Sequence, residues 1–166
     1  MEIIMFRTSI AAFLMATAVA FPSLAQDLKP IREVEVKVDT AGIGNPQAAA
    51  YWGTLQDDLK ASILTKVAPS DDEAAYVIKI RIDDVSLANG FQEKLGLGET
   101  TLTGNVLVQD DKNHVGDDAY DLTVDVNAAK PLLPQGYDFT AADADGKIYY
   151  NAMVNAFADG VVSRLK

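Results

Sequence analysis

The sequence predicts an α+β fold: a two-layer sandwich in which a four-stranded, mostly antiparallel sheet carries two helices on one face, in the order β-α-β-β-β-α. Three observations lead there. Ala75-Tyr76-Val77-Ile78-Lys79-Ile80-Arg81-Ile82-Asp83 alternates, with Tyr76, Ile78, Ile80 and Ile82 on one side and Lys79, Arg81 and Asp83 on the other. Period-two alternation with β-branched residues marks a strand with one buried and one wet face. Other stretches repeat the pattern, and two long amphipathic segments can cover the apolar side.

The first residues are not fold. Arg7, the apolar run Ile10–Phe21, and small residues at Ser23 and Ala25 predict a secretory signal peptide over 1–25, cleaved to leave Gln26 first. Initiation at Met5 would give a cleaner basic start. The apolar run falls well short of the roughly 20 residues needed to span a bilayer, so no transmembrane anchor is expected. No Cys follows it, so no lipobox is present and a periplasmic location is expected. Residues 26–166 then suit a single α+β domain able to bury about two-thirds of its unfolded surface.

Ile31–Asp39 is the first strand, with Val34, Val36 and Val38 inward and Glu33, Glu35 and Lys37 outward. After Gly42 and Gly44, Asn45-Pro46 starts a helix, since Asn favours the N-cap and Pro the first helical position. Ala48, Trp52, Leu55, Leu59 and Ile63 form its apolar stripe, leaving Gln56, Asp57, Asp58 and Lys60 to water; Ala68-Pro69 ends the element. The central strand runs from Ala75 to about Val85. Its parity slips at Asp83-Asp84, where a bulge would restore the pattern. A long connection, Leu87–Thr100, leads to the third strand, Thr101–Gln109, with Leu102, Val106 and Val108 inward and Gly104 interrupting. A polar turn, Asp110–Asp118, makes a hairpin with Tyr120–Asn127, whose Tyr120, Leu122, Val124 and Val126 are expected inward. Thr140 and Asp143 resemble a capping box for the last helix, with Ile148, Tyr149, Ala152, Met153, Ala156, Phe157, Val161 and Leu165 along its stripe.

The formal charge is −10, and removal of Glu2 and Arg7 with the leader leaves it unchanged. Such a chain is repelled by nucleic acid and anionic membranes. The absence of Cys removes thiol chemistry and disulfides. One His, His114, lies in the Asp110–Asp118 turn without a fixed catalytic neighbour. Asp110, Asp111, Asp117 and Asp118 in that turn invite a calcium reading, because hard cations want clustered carboxylates. The EF-hand pattern nevertheless fails at Val115 and Leu122, and solvated turn residues are the simpler reading. No phosphate loop or G-x-S-x-G elbow occurs, and no cofactor is expected.

The polar sheet face is the better functional candidate. Its members include Lys79 and Arg81, beside Glu33, Glu35, Lys37, Asp83, Thr101, Thr103, Asn105, Asp121, Thr123 and Asp125. A plain wet face is the ordinary outcome for such a sheet; a partner-docking surface is the functional one. Phe91, Leu95 and Leu97 on the long connection are apolar enough to act as a lid or contact site.

In element order and in the stretch Ala74-Ala75-Tyr76-Val77-Ile78, residues 31–109 resemble small Gram-negative envelope modules: LptE-like lipoproteins, and periplasmic domains of the TolB N-terminal and CsgG kind. The resemblance implies a non-catalytic role in envelope assembly or transport and transfers no functional residue. The expectation is an exported, non-enzymatic module that binds an envelope protein or other envelope component. The alternatives are a carrier of a small hydrophobic ligand, held between helices and sheet, and a periplasmic hydrolase.

Overall fold

The computed structural model describes residues 28–38, 53–86 (backbone alone at 84–86), 101–110, 112–137 and 147–166. The leader over 1–25, the helix start at Asn45-Pro46, Ala48 and Trp52, the connection Leu87–Thr100 and the Thr140/Asp143 cap lie outside them.

The described chain is α+β. Its strands are β1 (Pro30–Val38), β2 (Ala68–Pro69), β3 (Tyr76–Ser86), β4 (Thr101–Gln109) and β5 (Asp118–Asp125). Helix α1 spans Leu55–Leu64, α2 is a short turn of helix over Val126–Ala129 continued by a 3-10 turn over Lys130–Leu132, and α3 spans Lys147–Ser163. The sheet has five strands in the order β2-β1-β3-β4-β5. β1 runs parallel to β2 and β3, whereas β3–β4 and β4–β5 are antiparallel. The expectation of four mostly antiparallel strands is therefore corrected to a mixed five-stranded sheet. Ala68-Pro69, expected only to end a helix, is the extra strand. Pro is compatible with such an edge because it has no ladder hydrogen bond to donate outward.

β3 carries the expected bulge. Its register against β4 slips between Ile82, opposite Gly104, and Asp84, opposite Thr103, which brings Val85 opposite Leu102. Gly104 permits the approach: a Cβ there would lie 2.8 Å from the Arg81 carbonyl oxygen and 2.8 Å from Ile82 Cδ1. Only bare backbone fits at that point.

One face of the sheet is closed. Val34, Val36, Ile78, Ile80, Ile82, Leu102, Val106, Val108 and Val124 share a core with Leu55, Leu59 and Ile63 of α1 and Met153, Phe157 and Val161 of α3. The stripe on α3 is wider than its sequence pattern. Tyr150, Val154 and Ala158 are also buried, while Ile148 is 42% exposed, correcting its expected inward position. The reason is that α3 packs on both the sheet and α1. A polar seam joins the helices: Tyr150 Oη donates to Asp58 (2.6 Å), Ser62 Oγ to Asn155 Oδ1 (2.9 Å), and Lys66 Nζ to Asp159 (2.6 Å). Partners rise together along both helices, so α1 and α3 run parallel. Asp58, expected to face water, is thereby half-buried.

β5 ends earlier than its alternation predicts. Asp125 takes extended backbone angles and accepts from the N–H groups of Asn127 and Ala128, which makes it the N-cap of α2. Val126 is thus helical, not the last inward residue of a strand. At the other end the Lys29 N–H donates to the Leu165 carbonyl (2.9 Å), and Leu165 is fully buried, so lead-in and C-terminus close together. No helix among the described residues is long and apolar enough to cross a membrane.

Candidate interaction face

The second face of the sheet carries no described helix, and strand register sets its pattern. One row across it reads Lys37, Arg81, Asn105, Asp121; the next reads Glu35, Lys79, Leu107, Ala119. Neighbours within a row sit about 4.8 Å apart. Cations therefore gather on β1 and β3 with Glu35 among them, Asn105 and the apolar Leu107 hold the middle, and Ala119 and Asp121 lie on the β5 side. The middle is braced by side chains: Thr103 and Thr123 hydroxyls meet at 3.0 Å, and Asn105 Nδ2 donates to Asp121 Oδ1 at 3.1 Å.

Lys79 is half-buried, its Nζ 3.3 Å from Gln109 Oε1. Arg81 is more open, with a side chain 69% exposed and Nε 2.7 Å from Asp83 Oδ1. Lys37, which sequence reasoning placed on this face without singling it out, is directly opposite Arg81. Like charges in directly opposed positions weaken a sheet. The two cations stand together in a chain whose net charge is −10, and Arg81 is the one paired with an acid, Asp83.

One end of the face is roofed. Val77, at 1% exposure, is buried outside the main core. Just before β3, Glu73 ties in two neighbours: Lys112 Nζ of the β4–β5 hairpin pairs with its carboxylate (3.0 Å), and an Arg32 guanidinium nitrogen of β1 reaches its carbonyl (3.4 Å). On the other side Lys29 Nζ lies 4.8 Å from the centre of the Tyr76 ring and 3.4 Å from the Gly116 carbonyl.

The hairpin turn itself uses its acids structurally. The Asp110 carboxylate, 8% exposed as a residue, accepts from the backbone N–H groups of Lys112 and Asn113 and from the Asn113 side chain. Asp117 Oδ1 accepts from the Asp110 N–H (2.8 Å), and its Oδ2 meets His114 Nδ1 at 3.1 Å. The Lys112 N–H, then the Asn113 donors and the charge of His114, hold the Asp110 carboxyl below its ordinary value, against the effect of burial. His114 sits at φ 52°, a left-handed position in which its N–H reaches the Asp110 carbonyl. These contacts engage both oxygens of Asp110 and of Asp117 within the turn. Among the described residues no group of three or more His, Asp or Glu side chains is placed to hold a metal ion. Asp118 opens β5, and Asp111 lies outside the described residues, as do Phe91, Leu95 and Leu97.

Between helices and sheet, Leu55, Leu59, Ile63, Met153 and Phe157 are each 0% exposed.

No family model and no curated protein matches the chain. Solved structures do. One is a minor lipoprotein from Acinetobacter baumannii, 13% identical, with 80% of this chain and 91% of that one covered and a TM-score of 0.33. Another is a Xanthomonas campestris protein described under the family model DUF330, 11% identical, with 87% and 88% covered and a TM-score of 0.45. A third is a PelC dodecamer from Paraburkholderia phytofirmans, 14% identical, with 83% and 89% covered and a TM-score of 0.37. Likeness at this level assigns neither family nor function, and these matches do not show the specific LptE-, TolB- or CsgG-like resemblance.

Proposed function

We propose that the chain is an exported, non-enzymatic binding module whose open sheet face docks an acidic segment of another envelope protein, centred on Lys79 and Arg81. The observation that supports this reading is the grouping of Lys37, Lys79 and Arg81 on the sheet face that no described helix covers, in an acidic protein, with Lys37 directly opposite Arg81. Glu33, Glu35, Asp83 and Asp121 surround the cations. A discrete acidic segment fits that pattern, whereas an extended polyanion would also meet the surrounding acids. Electrostatic complementarity of this kind mainly sets association rate and specificity, so binding should weaken with salt.

The test is site-specific photo-crosslinking in exporting cells. A crosslinker at Asn105, beside Arg81 in register, should trap an acidic protein, and the adduct should vanish in Lys79→Glu/Arg81→Glu. A crosslinker at Lys130, away from the face, should not trap it. Absence of an adduct at Asn105, or one indifferent to the charge reversals, defeats the proposal.

A further inference from the structure

Among the described residues β1 leaves an open edge. β2 reaches only Pro30 and Ile31, and just past it the Ser70 N–H donates to the Ile31 carbonyl. From Arg32 to Val38 no described strand lies outside β1. An unpaired strand edge is a template for another strand. This edge is also complementary to itself. Laid antiparallel on a second copy about Val36, it sets Glu35 of each copy opposite Lys37 of the other, Val36 opposite Val36, and Val34 opposite Val38. Directly opposed residues share a face, so both ion pairs fall on the open face and all the valines on the core face.

Helix α1 fits the same junction. Asp58, Ser62 and Lys66 face α3, and Leu55, Leu59 and Ile63 are buried against the sheet. At about 100° per residue, Gln56, Lys60 and Leu64 occupy the flank turned away from α3, above the β1 edge. Leu64 is 43% exposed there. We infer that a second copy of this chain pairs along β1 about a two-fold axis at Val36, making one continuous sheet through both subunits, with the Leu64 flanks of the two α1 helices meeting above it. The two Lys79/Arg81 clusters then lie on the same side of the joined sheet. The inference stands apart from the docking proposal, and its readout is oligomeric state alone.

Sedimentation equilibrium on protein purified from cells expressing the full sequence tests it. The wild type is expected to dimerise in the micromolar range. Lys37→Glu sets two acids against each other twice across the axis, and Glu35→Lys two cations. Each should weaken the dimer about tenfold, given two cross-strand pairs converted from attraction to repulsion. The double variant Glu35→Lys/Lys37→Glu re-forms both pairs in reverse and should restore the wild-type dissociation constant. Within one subunit Lys37→Glu puts an acid opposite Arg81, whereas Glu35→Lys puts a cation opposite Lys79, so thermal melts of both single variants and the double variant separate loss of folding from loss of pairing. A wild type monomeric at every concentration, a dimer indifferent to the single changes, or a double variant that stays weak overturns the inference.

Discussion

Gly104→Ala probes the geometry that holds the open face in shape. A methyl group at that position would stand 2.8 Å from the Arg81 carbonyl oxygen and 2.8 Å from Ile82 Cδ1, with Ile82 Cα at 3.4 Å. The Ile82 side chain has little room to yield, being 1% exposed, and the carbonyl belongs to a strand paired on both sides. Overpacking of this kind costs about 1–3 kcal/mol, and a backbone clash puts the expected loss near the upper end, about 3 kcal/mol. For a domain of this size that is a fall in Tm of roughly 6–12 °C. Circular dichroism melts and a urea series with unchanged slope would read it. The cause is separable. Ile82→Val removes Cδ1 and alone should cost about 0.5–1.5 kcal/mol. Combined with Gly104→Ala it should cost clearly less, because it relieves one of the two contacts, giving a coupling of about 1 kcal/mol. An unchanged Tm in Gly104→Ala, or strict additivity in the pair, would refute this account of the bulge.

Asp125→Ala should cost about 1 kcal/mol through loss of the α2 cap, measured by denaturant melts. The Asp125 carboxyl is held below its ordinary value by the Ala128 N–H first, then by the Asn127 side chain; Asp110 is lowered likewise. A depressed folded value means that the unfolded chain takes up the proton first on acidification. Their contribution is therefore complete above the ordinary carboxylate value of about 4 and is lost as pH falls through the folded values. Asp110→Asn and Asp125→Asn should each flatten that acid limb, and an unchanged limb in both would contradict the assignment. Tyr120 behaves in the opposite sense. Burial pushes its phenol up to about 12; the guanidinium of Arg164, 4.3 Å from the ring centre, opposes this, and Asp118 adds to it. Its hydroxyl is buried without a described partner. The folded state thus loses stability as pH rises from about 10 through that value. Tyr120→Phe should abolish that alkaline loss and be neutral or stabilising at pH 7, since an unmatched buried hydroxyl is removed; a clear destabilisation at pH 7 would count against it.

The legible parts of the fold were those fixed by periodicity. Ile78, Ile80 and Ile82 alternate without interruption, and their burial follows. The slip at Asp83-Asp84 broke the alternation visibly, and the β3–β4 register shifts there. β4 alternates so regularly around Gly104 that its limits were readable as Thr101–Gln109. What escaped was set by long-range contact. Two residues, Ala68-Pro69, carry no periodicity, so their pairing with Pro30 and Ile31 left no local trace. Tyr150 was no part of the apolar stripe read along the last helix; its hydroxyl donates to Asp58, 92 positions away. Val126 fitted the β5 alternation, and the competing signal was Asp125 ahead of Asn127-Ala128-Ala129, a cap before helix-compatible residues. On the candidate face, Lys79 and Arg81 followed from parity. The prominence of Lys37 required knowing that β1 lies beside β3 and in which register. The acids of the Asp110–Asp118 turn invited a calcium reading beside the simpler one of solvated residues; sequence shows their carboxylates but not the N–H groups from which Asp110 and Asp117 accept.

The central claim, that the sheet face bearing Lys79 is held by a protein partner in the envelope, is tested most directly by amine-reactive footprinting read by mass spectrometry. Lys79 and Lys112 are labelled in the purified chain and, in parallel, in intact exporting cells with a reagent that enters the envelope. The account predicts that Lys79 labels readily in the purified chain and is protected in cells, while Lys112 on the hairpin labels alike in both. Equal labelling of Lys79 in the two settings would contradict it.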